Sequence, residues 1–346
     1  MLRLISQALL LAIAGLAIAG CGGGGDDNGD GVGVNPPPVL KVGLIVDKGQ
    51  LDDNGFNELA FKGLERAQSE LSVEGRVIES ASSADYIPNM TSLARQDYDL
   101  VIGVGFAQGD AIGKVAQKFP ETKFAIIDVD QAFVPGKPAN VQGLLFREEE
   151  VGYLVGYLAA LQEKRRDGAD VISAVGGMKE PPVDRFIAGY FAGAREADPG
   201  IKTVLGYSQD WDDQAKCKEL ALNQIADGSG VVFSVAGGCG LGALNAAGER
   251  DRWGIGVDAD QSSLGKHILT SAKKGVDSAV FLTIKSIQDE VWQGGKNATF
   301  GLKENGVGLG KVSSEVPRSD LDAVQAIKQK IASGEITGIP TEVGKS

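Results

Sequence analysis

Carboxylates and aromatic rings recur just after the predicted strands of this chain. Asp47, Asp128 and Asp258 each follow a short apolar run directly. Carboxylate oxygens in such positions accept hydrogen bonds from hydroxyl and amine groups, and they repel anionic ligands. Phe56 and Trp211 each follow a strand closely at the start of a helix, where two rings could enclose a flat ligand. We therefore predict a site for an uncharged polar ligand, a nucleoside or a sugar in preference to a phosphate.

Short apolar strands alternate with amphipathic helices to position these residues. The alternation repeats at least seven times after Leu40, which is typical of parallel α/β architecture. The predicted strands are 41–46, 100–104, 124–127, 171–175, 202–206, 231–235 and 254–257. Helical spacing is clear in 56–71 and 321–331, for which Asn54 and Ser319 are the predicted N-caps. Because open parallel sheets bind ligands outside the carboxyl ends of their strands, the polar strand ends should converge on one edge.

Composition excludes several classes of function. The chain has 346 residues and a formal net charge of -12, so we expect no nucleic-acid partner, since phosphate binding requires a clustered positive face. His267 is the one histidine, which leaves little for a zinc site or a histidine-based catalytic pair. We expect no cofactor, no metal and no enzymatic activity. The alternative is a nucleoside-cleaving enzyme that recruits Asp52 and Asp53 for a metal-bound water, although helix capping explains both more simply.

A glycine-rich segment at 237–242 opens a helix and raises the question of a phosphate cradle. It lacks the lysine and hydroxyl of a P-loop, and it follows a late strand instead of the first one. Glycines that let the loop pass close to a ligand or to a neighbouring strand explain the segment at least as well.

The N-terminal segment indicates export and lipid anchoring. An apolar run follows Arg3 and ends at Cys21, which resembles a bacterial lipobox, and the run is too short to span a bilayer stably. We predict a signal peptide at 1–20 and a lipidated cysteine with a flexible tether at 21–39. The protein would then be anchored by lipid to the cell envelope and face the periplasm or the exterior. An ordinary cleaved signal peptide with a chance cysteine is the alternative.

Cys217 and Cys239 are the two remaining cysteines. One falls soon after the loop that contains Trp211 and the other follows the next strand, so both should lie at the same sheet edge. An exported protein can form disulfides, and a bridge between these two is geometrically plausible. Two buried free thiols are the alternative.

Many motifs occur in order between residues 41 and 309, among them Asp-Asp-Asn-Gly-Phe-Asn-Glu at 52–58. The others lie at 98–106, 124–128, 146–160, 175–178, 185–190, 236–240, 256–261, 269–271 and 306–309. On these motifs the chain resembles the basic membrane protein family of substrate-binding lipoproteins for ABC transporters, whose characterised members bind purine nucleosides.

The resemblance implies a type I periplasmic-binding-protein fold, in which two doubly wound parallel-sheet lobes are joined by a hinge and enclose a cleft. We place one lobe at 40–146 plus 273–298 and the other at 147–272 plus 299–346. The implied ligand-binding residues come from both lobes. They are Asp47, Phe56, Asn57, Asp128, Trp211, Gly238, Asp258 and Lys274.

The resemblance also implies roles for six of these side chains. Phe56 and Trp211 would stack on the base. Asn57 and Asp128 would form hydrogen bonds with the base edges, and Asp258 and Lys274 would hold the ribose hydroxyls. If the family motif aligns one residue earlier, Lys273 takes the place of Lys274. The implied protein captures a nucleoside and delivers it to the permease subunits of an ABC importer. A binding protein for a sugar or another small polar ligand is the alternative.

Overall fold

Strands and helices alternate along a computed structural model that describes residues 39–47, 51–168 and 170–344. The predicted signal peptide, Cys21 and most of the predicted tether lie outside these residues. The described strands are β1 (Lys41–Val46), β2 (Glu74–Glu79), β3 (Leu100–Gly103), β4 (Lys123–Ile127), β5 (Val141–Phe146), β6 (Val171–Gly176), β7 (Lys202–Tyr207), β8 (Val231–Val235), β9 (Trp253–Asp258), β10 (Ile268–Lys274), β11 (Asn297–Phe300) and β12 (Val307–Leu309).

Helices connect most of these strands. The α-helices are α1 (Phe56–Leu71), α2 (Tyr86–Arg95), α3 (Gly109–Ala116), α4 (Glu148–Glu163), α5 (Pro181–Ala197), α6 (Gln214–Ala226), α7 (Gly240–Glu249), α8 (Val276–Gln288) and α9 (Arg318–Ser333). Short 3-10 turns occur at Ser83–Asp85, Phe106–Gln108, Gln131–Phe133, Gly237–Cys239 and Ser262–Leu264.

The strands form two six-stranded sheets of the same design. Their orders are β2-β1-β3-β4-β5-β11 and β7-β6-β8-β9-β10-β12. All neighbouring strands are parallel except β12, which runs antiparallel to β10. In each sheet the order reverses beside the first strand, and such a switch point opens a crevice at the carboxyl edge.

The crossovers between the sheets lie a few residues from the predicted boundaries. β10 keeps Lys273 and Lys274 in the second sheet, and β11 keeps Thr299 and Phe300 in the first. We therefore assign the crossovers to the residues that follow β5, β10 and β11.

Helices cover both faces of each sheet. In β1, Leu44 belongs to the apolar cluster that includes α1 and α8, whereas its neighbour Ile45 belongs to the cluster of α2 and α3. In the second lobe, α4 and α5 pack on one face and α6 and α7 on the other. Burial on two faces explains why the central strands are continuous apolar runs.

All seven predicted strands occur, but β2, β5, β10, β11 and β12 were not predicted. β2 is an edge strand in which polar and apolar residues are mixed and no residue is fully buried. β10 contains polar residues, Thr270 and Ser271, that are nevertheless fully buried. Neither strand therefore has the continuous apolar run by which the others are recognised.

Both predicted N-caps are wrong. α1 begins at Phe56 and is capped by the Asp53 carboxylate, which accepts hydrogen bonds from the backbone N–H groups of Gly55, Asn57 and Glu58 at 2.8, 2.9 and 3.2 Å. α9 begins one residue before Ser319, which therefore lies inside the helix. Asp53 thus serves as a helix cap, as the simpler interpretation of this aspartate proposed.

α4 and α5 pack closely because glycines line their contact. A Cβ atom on Gly156 would lie 1.9 Å from the carbonyl oxygen of Tyr190, and one on Gly193 would lie 2.0 Å from that of Tyr153. No side chain fits at either position unless the two helices move apart.

We expect Gly156→Ala to lower the free energy of unfolding by about 1–3 kcal/mol, since the added methyl group must separate two packed helix backbones. Urea denaturation measures the effect. Gly308→Ala is the matched control, because a Cβ atom on Gly308 would meet no atom within 4 Å. Equal destabilisation by both substitutions would contradict the close contact.

Candidate ligand-binding site

A cavity lies between the two lobes at the carboxyl edges of the sheets. Residues that follow β1, β3 and β4 line it from the first lobe, and residues that follow β6, β7 and β8 or end β9 and β10 line it from the second. The structure brings all eight predicted ligand-binding residues to this one cavity. They are Asp47, Phe56, Asn57, Asp128, Trp211, Gly238, Asp258 and Lys274.

Lys274 is the charged centre of the cavity. Its side chain is 2% exposed, and its Nζ atom lies 2.7 Å from both carboxylate oxygens of Asp128 and 2.9 Å from Oε1 of Glu148. Asp128 follows β4 in the first lobe and Lys274 ends β10 in the second, so this ion pair joins the lobes. The neighbouring Lys273 side chain is exposed, so Lys274 is the lysine in register with the cavity.

Aromatic rings surround the same ammonium group. The Nζ atom of Lys274 lies 5.0 Å from the ring centroid of Phe56, 4.9 Å from that of Phe146 and 5.9 Å from that of Phe186. Ring faces attract a cation at such distances. The three carboxylates that neighbour Lys274 raise its pKa despite burial, so the lysine stays protonated.

Asp128 and Asp258 both adopt left-handed backbone conformations, with φ of 72° and 62°. Residues other than glycine rarely occupy this region, and such conformations cluster at functional sites. Asp128 directly follows β4 and Asp258 is the last residue of β9, so in both cases the unusual backbone conformation occurs at a strand end with a carboxylate that lines the cavity.

Asp258 is buried and lacks a cation of its own. Its side chain forms no hydrogen bond or ion pair with any residue that the structure describes. Burial, together with the charges of Asp53, Asp128 and Glu148, raises its pKa to about 7 against the attraction of Lys274. Removing this carboxylate from water therefore costs free energy that a hydrogen-bond donor on a ligand would offset.

This burial predicts a pH dependence of stability. In the unfolded chain Asp258 releases its proton near pH 4, whereas in the folded protein it keeps the proton to about pH 7. The folded state thus binds more protons in this range, so its stability is lost as the pH rises. We expect Asp258 alone to make the ligand-free protein about 2 kcal/mol more stable at pH 5.5 than at pH 8.

Urea denaturation of the ligand-free protein and of Asp258→Asn at the two pH values tests this. The amide mimics the protonated acid, so the variant should be more stable than the wild type at pH 8 and should depend less on pH. A variant that is less stable at pH 8, with an unchanged pH dependence, would refute the assignment.

Trp211 lies in the loop between β7 and α6 and packs against glycines. A Cβ atom on Gly177 would lie 2.3 Å from Cζ3 of the indole, so this position admits no side chain without displacing the ring. The backbone N–H of Cys239 donates a 2.7 Å hydrogen bond to the carbonyl oxygen of Trp211. Cys239 is joined to Cys217 of α6 by a disulfide, with 5.6 Å between the Cα atoms. The Trp211 loop is thus held against the segment that contains Gly238.

Two further predicted residues differ in their contacts. The Asp47 carboxylate accepts a hydrogen bond from the Tyr86 hydroxyl. Asn57 is 4% exposed, and its Oδ1 atom accepts no hydrogen bond from any residue that the structure describes. A buried amide oxygen without a partner in the wall of a cavity is a place where a ligand donor would be stabilised.

Other lining residues were not predicted as site residues, among them Asp53, Gly105, Phe106, Glu180 and Phe186. Gly105 and Phe106 come just after β3, so the rule that strand ends converge would have found them. Phe186 lies inside α5, and sequence spacing gives no sign that it faces a cavity. Within the described part of the chain, no group of three His, Cys, Asp or Glu side chains is arranged to hold a metal ion.

None of the helices in the described ranges is long and apolar enough to cross a membrane.

Comparisons with known proteins show the family to which the chain belongs. The family model for PnrA-like ABC transporter substrate-binding proteins matches residues 40–340. The chain is 33% identical over 355 residues to the ABC transporter nucleoside-binding protein BmpA of Lactococcus lactis subsp. cremoris, which covers 94% of this chain and 96% of that protein. It is 35% identical over 305 residues to basic membrane protein D of Borreliella burgdorferi, covering 86% of each. A relative from Pyrococcus horikoshii named an uncharacterized lipoprotein is 36% identical over 281 residues, 78% of this chain and 68% of that protein.

Solved structures share the architecture. A solute-binding protein of an ABC transporter system from Aeropyrum pernix K1 superposes with a TM-score of 0.78 at 29% identity, covering 88% of this chain and 94% of that one. The arabinose-binding protein AraP of Geobacillus stearothermophilus gives a TM-score of 0.62 at 13% identity, covering 83% and 99%, which shows a common fold alone. The predicted type I periplasmic-binding-protein fold is thereby confirmed.

Proposed function

Because this chain belongs to the family of PnrA-like ABC transporter substrate-binding proteins, we propose that it captures a purine nucleoside between its lobes and delivers it to the permease of an ABC importer. The ligand assignment rests on one observation above all. Two rings, Phe56 and Trp211, line a cavity in which the buried Asn57 Oδ1 atom and the buried Asp258 carboxylate accept no hydrogen bond from a described residue.

The charge balance of the cavity favours a ligand with donors. Among the described lining residues, Lys274 is the sole lysine or arginine, and it is already held by Asp128 and Glu148. Six lining residues are acidic: Asp47, Asp53, Asp128, Glu180, Asp212 and Asp258. A phosphorylated ligand would be repelled, whereas ribose hydroxyls and base amines supply the donors that these groups need.

The rings favour a base. Stacking of a nucleobase on an aromatic side chain contributes about 1–3 kcal/mol per ring. Phe56 comes from the first lobe and Trp211 from the second, so a base between them would contact both lobes. One relative is named a nucleoside-binding protein, which supports the same ligand class.

Capture then follows from the two-lobe design. A ligand that contacts both lobes binds the closed form more tightly than the open one and shifts the population toward closure by that difference in affinity. The Asp128–Lys274 ion pair forms across the lobes in the same region. The permease would recognise the closed form. We also propose that Cys21 carries the lipid that holds the protein at the membrane, consistent with a relative named a lipoprotein.

Calorimetric titration tests the proposed ligand. The purified protein, refolded to remove any ligand carried through purification, is titrated with adenosine, guanosine, inosine, uridine and ribose. We expect tight binding of purine nucleosides and weak binding of ribose. Binding of ribose alone, or of none of these compounds, would reject the nucleoside assignment.

A sugar is the second candidate ligand, since the acceptors that suit ribose hydroxyls suit sugar hydroxyls equally well. Titration with ribose distinguishes a sugar-binding protein from a nucleoside-binding protein. The proposal of a binding protein without catalysis is tested by incubating a nucleoside with a high concentration of the protein, with and without calcium. Release of free base would show an enzyme.

A further inference from the structure

Glu180 lines the cavity, and its side chain has no individual role in the proposed function. It lies directly before α5, in the loop that follows β6. Its carboxylate forms no hydrogen bond or ion pair with a residue in the described ranges. The adjacent Lys179 does not neutralise it, because the Lys179 Nζ atom lies 2.6 Å from the Asp184 carboxylate instead.

Most other carboxylates in the cavity wall are already engaged. Asp47 accepts a hydrogen bond from Tyr86, Asp53 caps α1 and Asp128 pairs with Lys274. Two carboxylates shielded from solvent therefore remain to accept hydrogen bonds from a ligand. Glu180 is half-buried and Asp258 is buried.

These two carboxylates have different neighbours. Burial, together with the charges of Asp47 and Asp128, raises the pKa of Glu180 to about 7. The pKa of Asp258 is raised by burial and by Asp53, Asp128 and Glu148, and it is lowered by Lys274. Both carboxylates line the same cavity, Glu180 from the loop before α5 and Asp258 from the end of β9. A nucleoside whose ribose binds Asp258 therefore leaves Glu180 available to its base.

We propose that Glu180 selects the base and favours guanine nucleosides over adenine nucleosides. This inference rests on the proposed function, since it presumes that the cavity binds a nucleoside. Guanine presents two adjacent donors, N1–H and the 2-amino group, which match the two oxygens of one carboxylate. Adenine presents one amino donor beside the lone pair of its ring N1, which an ionised carboxylate repels.

A second uncommitted acceptor fits the same ligand class. The Oδ1 atom of Asn57 is buried, has no hydrogen-bond partner among the described residues and belongs to a residue of the same cavity wall. A base with several N–H groups satisfies both acceptors, whereas a base with few donors leaves one of them buried and unpaired. Sites built to accept a hydrogen bond discriminate strongly against analogues that lack the donor.

The preference should depend on pH. The charges of Asp47 and Asp128 act on Glu180, and the other charged groups that line the same cavity are Asp53, Asp212, Asp258 and Lys274. As the pH falls through about 7, Glu180 takes up a proton and offers one donor and one acceptor, which is the pattern that adenine N1 and its amino group match. Guanosine affinity should therefore fall, and adenosine affinity rise, between pH 8 and pH 6.

Titration of the wild type and of Glu180→Gln tests the inference, with guanosine, adenosine and 1-methylguanosine at pH 8. We expect the wild type to bind guanosine at least tenfold more tightly than adenosine, and 1-methylguanosine to lose most of that advantage because its N1 donor is blocked. The substitution should weaken guanosine binding by about 10–100-fold, the effect of hydrogen bonds to a charged group. Adenosine binding should instead become tighter, because the amide, like the protonated acid, offers one donor and one acceptor.

Glu196→Gln is the matched control, since Glu196 is an exposed glutamate of α5 that lies outside the residues lining the cavity. It should leave the guanosine-to-adenosine ratio unchanged, and thermal unfolding should show that both variants fold. Equal loss for all nucleosides, or no loss, in Glu180→Gln would overturn the role of Glu180 while leaving the nucleoside assignment intact. Binding of ribose with no nucleoside bound by the wild type would overturn both.

Discussion

Lys274→Ala is expected to destabilise the protein by about 3–5 kcal/mol, the cost of leaving buried charges without a partner. The Nζ atom of Lys274 contacts Asp128 and Glu148 at 2.7 and 2.9 Å, and all three side chains are almost fully buried. Removing the ammonium leaves two carboxylates close together in a region with little water. Urea denaturation of the ligand-free protein at pH 8 measures the loss.

The loss should be smaller at pH 6, because burial raises the pKa of Glu148 to about 7 and this carboxylate can then take up a proton. Lys273→Ala is the matched control. Lys273 is the adjacent residue of the same strand, and its side chain is exposed. It should change stability by less than about 0.5 kcal/mol, as exposed surface substitutions usually do. If both alanine variants have the same stability, the buried ion cluster does not hold the lobes together as described.

Trp211→Ala is expected to weaken purine nucleoside binding by about 5–150-fold, which corresponds to the 1–3 kcal/mol that one stacked ring contributes. Phe56→Ala should have an effect of similar size, since the two rings are proposed to enclose the base from opposite lobes. Calorimetric titration at fixed pH measures both, and the unfolding temperature of each variant shows whether the fold is kept.

Phe133→Ala serves as the control for these substitutions. Phe133 is 82% exposed and lies outside the residues that line the cavity, so its removal should leave affinity unchanged. Any affinity for free ribose should survive in Trp211→Ala, because the ring is assigned to the base. Nucleoside binding that is unaffected by the loss of either cavity ring would exclude the stacking arrangement.

The central strands and the edge of the sheet that holds the site were predictable from the sequence. Continuous apolar runs marked the strands buried on both faces, and polar residues directly after them marked the edge where ligands bind. This reasoning predicts Asp47, Asp128 and Asp258 as site residues.

Features that depend on contacts between distant segments were not predictable. The pairing of Lys274 with Asp128 joins residues 146 positions apart, and nothing in local spacing indicates it. β10 was missed because its buried positions include hydroxyl and lysine side chains that resemble an exposed segment. Glu180 was overlooked because a glutamate before a helix is normally solvent-exposed, and its position in the cavity depends on how the second lobe meets the first.

A crystal structure of the protein with guanosine tests the central claim most directly. We predict that the base lies between the rings of Phe56 and Trp211, that the ribose hydroxyls bond to Asp258, and that the base edge lies within hydrogen-bond distance of Glu180. A nucleoside bound outside this cavity, or one bound inside it that contacts neither ring, would contradict the account.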